Sequence, residues 1–98
     1  MTHELKTWPD FYAKVRSGEK PFEVRKNDRD FKVGDVLHLH EWSPEKGYSG
    51  NSMQIEITYI LNDSKWGILP GTVIMGLSRL PIATIDVTID QHPKMVVS

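Results

Sequence analysis

The chain of 98 residues contains no cysteine, which excludes disulfides and thiolate metal sites. It has no apolar run near the roughly 20 residues that a membrane-spanning helix needs. The first residues, from Met1 to Lys6, lack the apolar stretch of a secretory signal. An excess of one charge is missing too: 12 lysines and arginines face 13 aspartates and glutamates. A protein that coats nucleic acid by charge alone is far more basic. What remains is a soluble chain with one core, since this length leaves no room for a second. Cytoplasmic residence is the expectation. There is no internal repeat and no low-complexity tract.

What is present begins with a helix. Trp8, Phe11, Tyr12 and Val15 recur at the helical period and define one apolar face. Thr7 is the expected N-cap, with Asp10 completing a capping-box pattern. Pro9 falls in the first turn, where its missing N–H costs nothing. Gly18 supplies a left-handed C-cap. These signals place the helix at Pro9 to Ser17.

The remainder reads as strands. Phe22 and Val24 alternate with Glu23 and Arg25, so that apolar residues facing the core would put the charged pair on the opposite face. Val36 to Trp42 and Met53 to Leu61 are the next strands, separated by a loop from Ser43 to Ser52 that holds Pro44, Gly47 and Gly50. In the second of them Met53, Ile55, Ile57, Tyr59 and Leu61 share a face. Thr72 to Leu80 is apolar on both faces and reads as buried. After Pro81, Ala83, Ile85, Val87 and Ile89 alternate with polar residues. That strand, at 82–89, is read as closing the sheet, pairing with a second copy of the chain, or fraying, and 91–98 is expected to be a loose tail. The expected core is Phe22, Val24, Leu37, Leu39, Ile55, Ile57, Val73 and Met75. The pattern predicts a small α+β domain over residues 1–80, a curved and mostly antiparallel barrel with one helix beside it, and an extension over 81–98.

Charge is unevenly spread. Between Lys14 and Lys32 seven basic residues accompany four acidic ones, a local anion-facing surplus on an otherwise acidic chain. Within that stretch Lys20, Glu23 and Arg25 place an amine, a carboxylate and a guanidinium where the helix gives way to a strand. The amine is a point charge and the guanidinium a planar fork for phosphate or carboxylate. The carboxylate between them can accept from a base amine or act in acid/base chemistry. An ion-pair ladder on an edge strand explains the same residues without any ligand.

Gly18, Lys20, Glu23 and Arg25 also match the G-x-K-x-x-E-x-R signature of the ASCH domain superfamily. Residues 3–6, the run from Arg25 to Phe31 and Val33 to Asp35 resemble one subgroup of bacterial and phage proteins in it. The resemblance covers about residues 3 to 80. It implies a PUA-like β-barrel with a cleft lined by Lys20, Glu23 and Arg25, and binding of RNA or of a modified nucleotide. Some small members are amidohydrolases that deacylate N4-acetylcytidine. In those a lysine matches Lys20, but a threonine nucleophile stands where this chain has Glu23. A later glutamate assists them, for which Glu41 and Glu56 are the candidates here.

The leading expectation is thus an RNA- or nucleotide-binding module using Lys20, Glu23, Arg25, Asn27, Arg29 and Lys6. The alternative is a small amidohydrolase with Lys20 and Glu23 as its catalytic pair. Asn27 and Arg29 read equally as ligand contacts or as parts of a turn, and Asp28 and Asp30 as turn residues. Trp42, Tyr48 and Trp66 are stackers for bases or plugs for the barrel ends. His38 and His40 share a strand face and would need a third ligand, His3 or Glu41, to hold a metal. No spacing typical of a closed metal site is present, and no metal or cofactor is expected.

Overall fold

The computed structural model describes residues 1–62 and 64–87. Among the described residues, the elements run in the order β1 (Thr2–Thr7), α1 (Pro9–Ser17), β2 (Phe22–Lys26), β3 (Val36–Ser43), β4 (Gly47–Leu61), β5 (Thr72–Leu77) and β6 (Ala83–Ile85), with a short 3-10 turn at Ser64–Trp66. The sheet order is β1-β3-β4-β5-β2, and β6 pairs with β4. β1 lies parallel to β3; the pairings β3–β4, β4–β5, β2–β5 and β4–β6 are antiparallel. The sheet is open. β1 and β2 end the five-strand path and β6 branches from β4, so among the described residues the closed barrel expected from the strand pattern does not form. None of the helices among the described residues is long and apolar enough to cross a membrane.

The helix has the predicted bounds. Gly18 caps it at φ 84°, and its N–H donates to the Val15 carbonyl. The N-terminus departs from expectation. Trp8 is the N-cap residue, and its side chain makes no capping hydrogen bond. Thr7 is instead the last residue of β1, a strand that the sequence reading missed. Tyr12 and Val15 are buried, while Trp8 and Phe11 are half exposed. The apolar stripe is therefore divided: one flank covers the core, the other borders open space.

The core comprises Leu5, Tyr12, Val15, Phe31, Leu37, Leu39, Met53, Ile55, Ile57, Val73, Met75 and Leu77. Six of the eight expected residues are among them. Phe22 and Val24 are not; they are 42% and 50% exposed, and Glu23 is 3% exposed. The reason is register. Glu23 lies opposite Met75 and Arg25 opposite Val73 on β5. Residues paired across strands share a face, and on β5 that face belongs to buried Val73 and Met75. β2 thus turns its charged residues inward, the reverse of the expected phase.

β4 was expected to begin at Met53. It starts at Gly47 and folds back on β3 through a short turn, so most of the expected loop is strand. Its alternation breaks at a bulge between Ile57 and Tyr59. An extra residue there moves following side chains to the other face. Ile57 is buried, Tyr59 is exposed, and Ile60 packs on the core instead. β5 ends at Leu77 rather than Leu80, with Val73, Met75 and Leu77 alternately buried. The expected strand at 82–89 is shorter: β6 spans Ala83–Ile85 and pairs with β4 of its own chain. Residues 88–98, including the expected tail, lie outside the described residues.

Candidate functional site

Glu23, buried on the inner face of β2, is held from both sides. Lys20 Nζ lies 3.0 Å from Oε1 and Arg25 Nε lies 3.0 Å from Oε2. Lys20 Nζ also donates to the Phe22 carbonyl at 3.0 Å. The left-handed turn at Gly18 brings Lys20 here, and its own N–H donates to the Lys14 carbonyl. The Lys20 ammonium lies 5.2 Å from the Phe11 ring centre and 5.0 Å from that of Phe22, within the range of cation–π attraction.

The two sheet edges meet at this point through side chains. Arg25 Nη2 donates to the Lys6 carbonyl at 2.8 Å and to Thr7 Oγ1 at 3.3 Å. Arg29 Nη1 donates to the Glu4 carbonyl at 2.8 Å. Glu4 and Lys6 are two apart on β1, so their carbonyls point to one edge. Two guanidinium groups therefore take the place of the strand that would have closed a barrel. A backbone carbonyl left unpaired there would depend on water alone.

Two clefts open along this junction. The first, of about 580 Å³, has Glu23, Lys20 and Arg25 at its polar end and Trp8, Phe11 and Trp42 among its walls. Trp8 and Trp42 meet edge to face at 6.1 Å, and Lys6 Nζ lies 4.6 Å above the Trp42 ring. The second, of about 690 Å³, is bordered by Glu4, Lys6, Arg25, Arg29, His40 and Tyr48. Lys6 and Arg25 line both.

The side chains in the first cleft retain bonding capacity. An ammonium has three donors, and among the described residues Lys20 uses two. The Arg25 bonds go through Nε and Nη2, which leaves the two Nη1 donors. Each Glu23 oxygen accepts one bond where it has room for two. The cleft can therefore offer both donors and an acceptor to a planar polar group, beside aromatic surface.

Of the six expected ligand residues, the structure brings Lys6, Lys20, Glu23, Arg25 and Arg29 to this junction. Asn27 stands apart: it is exposed, and its N–H donates to the Gly71 carbonyl at the end of β2. Asp30 adopts φ 49°, the left-handed region that aspartate tolerates, and the chain bends at Asn27 and Arg29 after β2, from where Arg29 reaches β1. Glu41 accepts from Ser49 Oγ at 2.7 Å and from Asn51 Nδ2 at 3.0 Å, and it does not line the Glu23 cleft. Glu56 is exposed and likewise does not line it. Trp66 is exposed in the 3-10 turn, beside Lys65. The sequence reading missed Thr7, Trp8 and Phe11 as cleft residues. The signal for Trp8 and Phe11 was an apolar helix stripe that continues beyond what one core contact needs, whereas Thr7 reaches the cleft as the last residue of β1.

His3 has a structural place. Its Nε2 lies 2.8 Å from Asp35 Oδ2 and its ring packs edge-on against Phe31 at 4.7 Å. The His3 bond, with the Lys32 N–H and the terminal amine, holds the Asp35 carboxyl below its ordinary value. On the outer face of β1, Glu4 Oε1 lies 2.6 Å from His40 Nε2 and 2.9 Å from His38 Nδ1. The bond from His40 is the largest influence holding the Glu4 carboxyl low.

An open sheet whose edges are bridged by arginines beside an aromatic cleft defines a small domain with a polar junction as its most distinctive surface. Residues 2–77 match the family described as "Domain of unknown function (DUF3850)", and the chain belongs to it. It is also similar to the "Uncharacterized 12.9 kDa protein in GpA 3'region" of Escherichia phage P2, at 36% identity over 64 residues. That alignment takes in 65% of this chain and 58% of the phage protein.

Proposed function

We propose that this chain is an RNA- or nucleotide-binding module of ASCH, PUA-like type, in which a base enters the cleft between α1 and β2. One observation carries the reading: a glutamate only 3% exposed is fixed between a lysine and an arginine beside Trp8, Phe11 and Trp42. Taking such a charged triad out of water opposes folding or adds little to it, whereas apolar residues at the same positions would pack at no such cost. An arrangement of this kind suits ligand recognition. A base stacks on the exposed aromatic surface. Its exocyclic amine donates to Glu23, and Lys20 and Arg25 donate to its carbonyl or to a phosphate. The cleft's volume of about 580 Å³ lies in the range of small-molecule sites. The Gly18, Lys20, Glu23 and Arg25 signature supports the same assignment.

The amidohydrolase alternative has less behind it. No threonine stands at position 23, and neither Glu41 nor Glu56 reaches the cleft. Titration of the chain with nucleosides and short single-stranded RNA, followed by tryptophan fluorescence, tests the proposal. Binding should saturate, weaken in Lys20→Ala and Glu23→Gln, and show a shallow salt dependence from few phosphate contacts. Absence of binding, or binding indifferent to both substitutions, rejects it. Deacylation of N4-acetylcytidine that Lys20→Ala abolishes would favour the hydrolase instead.

A further inference from the structure

A second constellation lies on the opposite side of β1 from the core. The parallel pairing places Glu4 beside His38 and Lys6 beside His40. Leu5, Leu37 and Leu39 face inward, so Glu4, His38 and His40 share the outer face. The histidine rings lie 4.1 Å apart between centres. One donor atom from each of the three residues falls within 4.8 Å of the others.

We propose that Glu4, His38 and His40 form a binding site for a divalent transition-metal ion of the zinc class. The inference goes beyond the proposed nucleotide reading and does not depend on it. Two imidazole nitrogens and one carboxylate oxygen suit zinc, whereas calcium and magnesium favour oxygen ligands throughout. Three protein ligands leave a fourth position for water or another donor.

The geometry is close to what a metal needs. Bonds of about 2.0–2.2 Å in a tetrahedron set ligand atoms roughly 3.4 Å apart. The carboxylate oxygen now lies 2.6 Å and 2.9 Å from the two nitrogens. The carboxylate oxygen must move away from each nitrogen by less than about 1 Å, which rotation of the exposed Glu4 side chain supplies, and the two nitrogens already lie within 4.8 Å of each other. The two histidines are fixed on a central strand, which limits the ordering that binding requires.

The third ligand could not be read from sequence spacing. His3 is committed to Asp35, and Glu41 to Ser49 and Asn51. Glu4 arrives because a parallel strand from the start of the chain lies against β3. Two of the three, Glu4 and His40, also line the cleft of about 690 Å³.

Zinc chloride titrated into tag-free full chain, followed calorimetrically and by nitrogen-15 shifts of the histidine rings, tests the site. The expected result is one ion per chain, with the large shifts at His38 Nδ1 and His40 Nε2. His38→Ala and His40→Ala should each weaken binding by roughly tenfold or more, and Glu4→Gln by less. No stoichiometric binding tighter than about 1 mM overturns the proposal. So does binding that survives the double His38→Ala, His40→Ala variant, or shifts confined to other histidines of the unsubstituted chain. The ring-shift measurement needs no variant, so a folding defect in one of them leaves the test decisive.

Discussion

Arg25 Nη2 lies 2.8 Å from the carbonyl oxygen of Lys6 while Nε of the same guanidinium lies 3.0 Å from Glu23. One side chain thus joins the two edges of the sheet and neutralises a buried carboxylate. Arg25→Ala removes these bonds and the one to Thr7 Oγ1, and Lys20 then carries Glu23 alone. A loss of about 1–3 kcal/mol in unfolding free energy is expected, read from urea denaturation. Arg25→Lys should fall between, because an ammonium keeps the charge but cannot span both acceptors with a fixed fork.

Tyr12 is 4% exposed, and its hydroxyl has no hydrogen-bond partner among the described residues. Burial first, then the nearby carboxylates of Asp86 and Glu41, push its pKa up to about 12. Absorbance near the phenolate band should show one of the three tyrosines titrating about two units above the ordinary value of about 10. Because the folded value is raised, the associated stability is complete below pH about 10 and is lost as pH rises towards 12. Tyr12→Phe removes an unpaired polar group and should leave stability unchanged or raise it by up to about 1 kcal/mol in chemical denaturation.

Asp35 carries the opposite sign. His3 foremost lowers its folded pKa, so its contribution is present above the ordinary carboxylate value and is lost as pH falls through the folded one. Asp35→Asn should lower the thermal midpoint at neutral pH. It should also flatten the fall in midpoint on acidification below about pH 4.

Gly50 adopts φ 96°, and a Cβ there would stand 3.2 Å from Val87 Cγ2. Gly50→Ala is expected to cost about 1–3 kcal/mol from left-handed strain and crowding together. Combining it with Val87→Ala should recover the crowding part alone, which a double-mutant cycle in urea isolates.

The bounds of the helix were legible because their signals are local: a proline at the start, a glycine at the end and a period between them. Its N-cap was not, because Thr7 is taken up by β1. Leu37, Leu39, Ile55, Ile57, Val73 and Met75 were legible as core because alternation holds along their strands. β2 was not. Its apolar residues Phe22 and Val24 point out and Glu23 points in, since pairing with β5 fixes the phase and three charged groups satisfy one another. Nothing in a five-residue alternation encodes that choice. β1 was missed for a related reason: its partner lies beyond a helix and a strand, and parallel pairing leaves no hairpin signal. Lys20, Glu23 and Arg25 were visible as a cluster, but the aromatic wall needed the end of β1 to position Trp8. The resemblance implied a barrel, and the sheet instead remains open where two arginines bridge its edges.

The parallel pairing of β1 with β3 also bears on how the chain reaches this state. α1 makes its backbone bonds among its own residues, and the β3–β4–β5 meander among neighbouring ones. β1, although synthesised first, has no partner until a helix and another strand have followed it. We expect the meander to form the nucleus, with β1 and β2 docking on its flanks afterwards. Native-state hydrogen exchange should then release the β1 and β2 amides at lower opening energy than those of β3 to β5. Equal protection in all five strands would exclude this order. If the order holds, the cleft is the last part of the molecule to assemble, and a ligand that bridges β1 and β2 would slow its opening more than that of any other region.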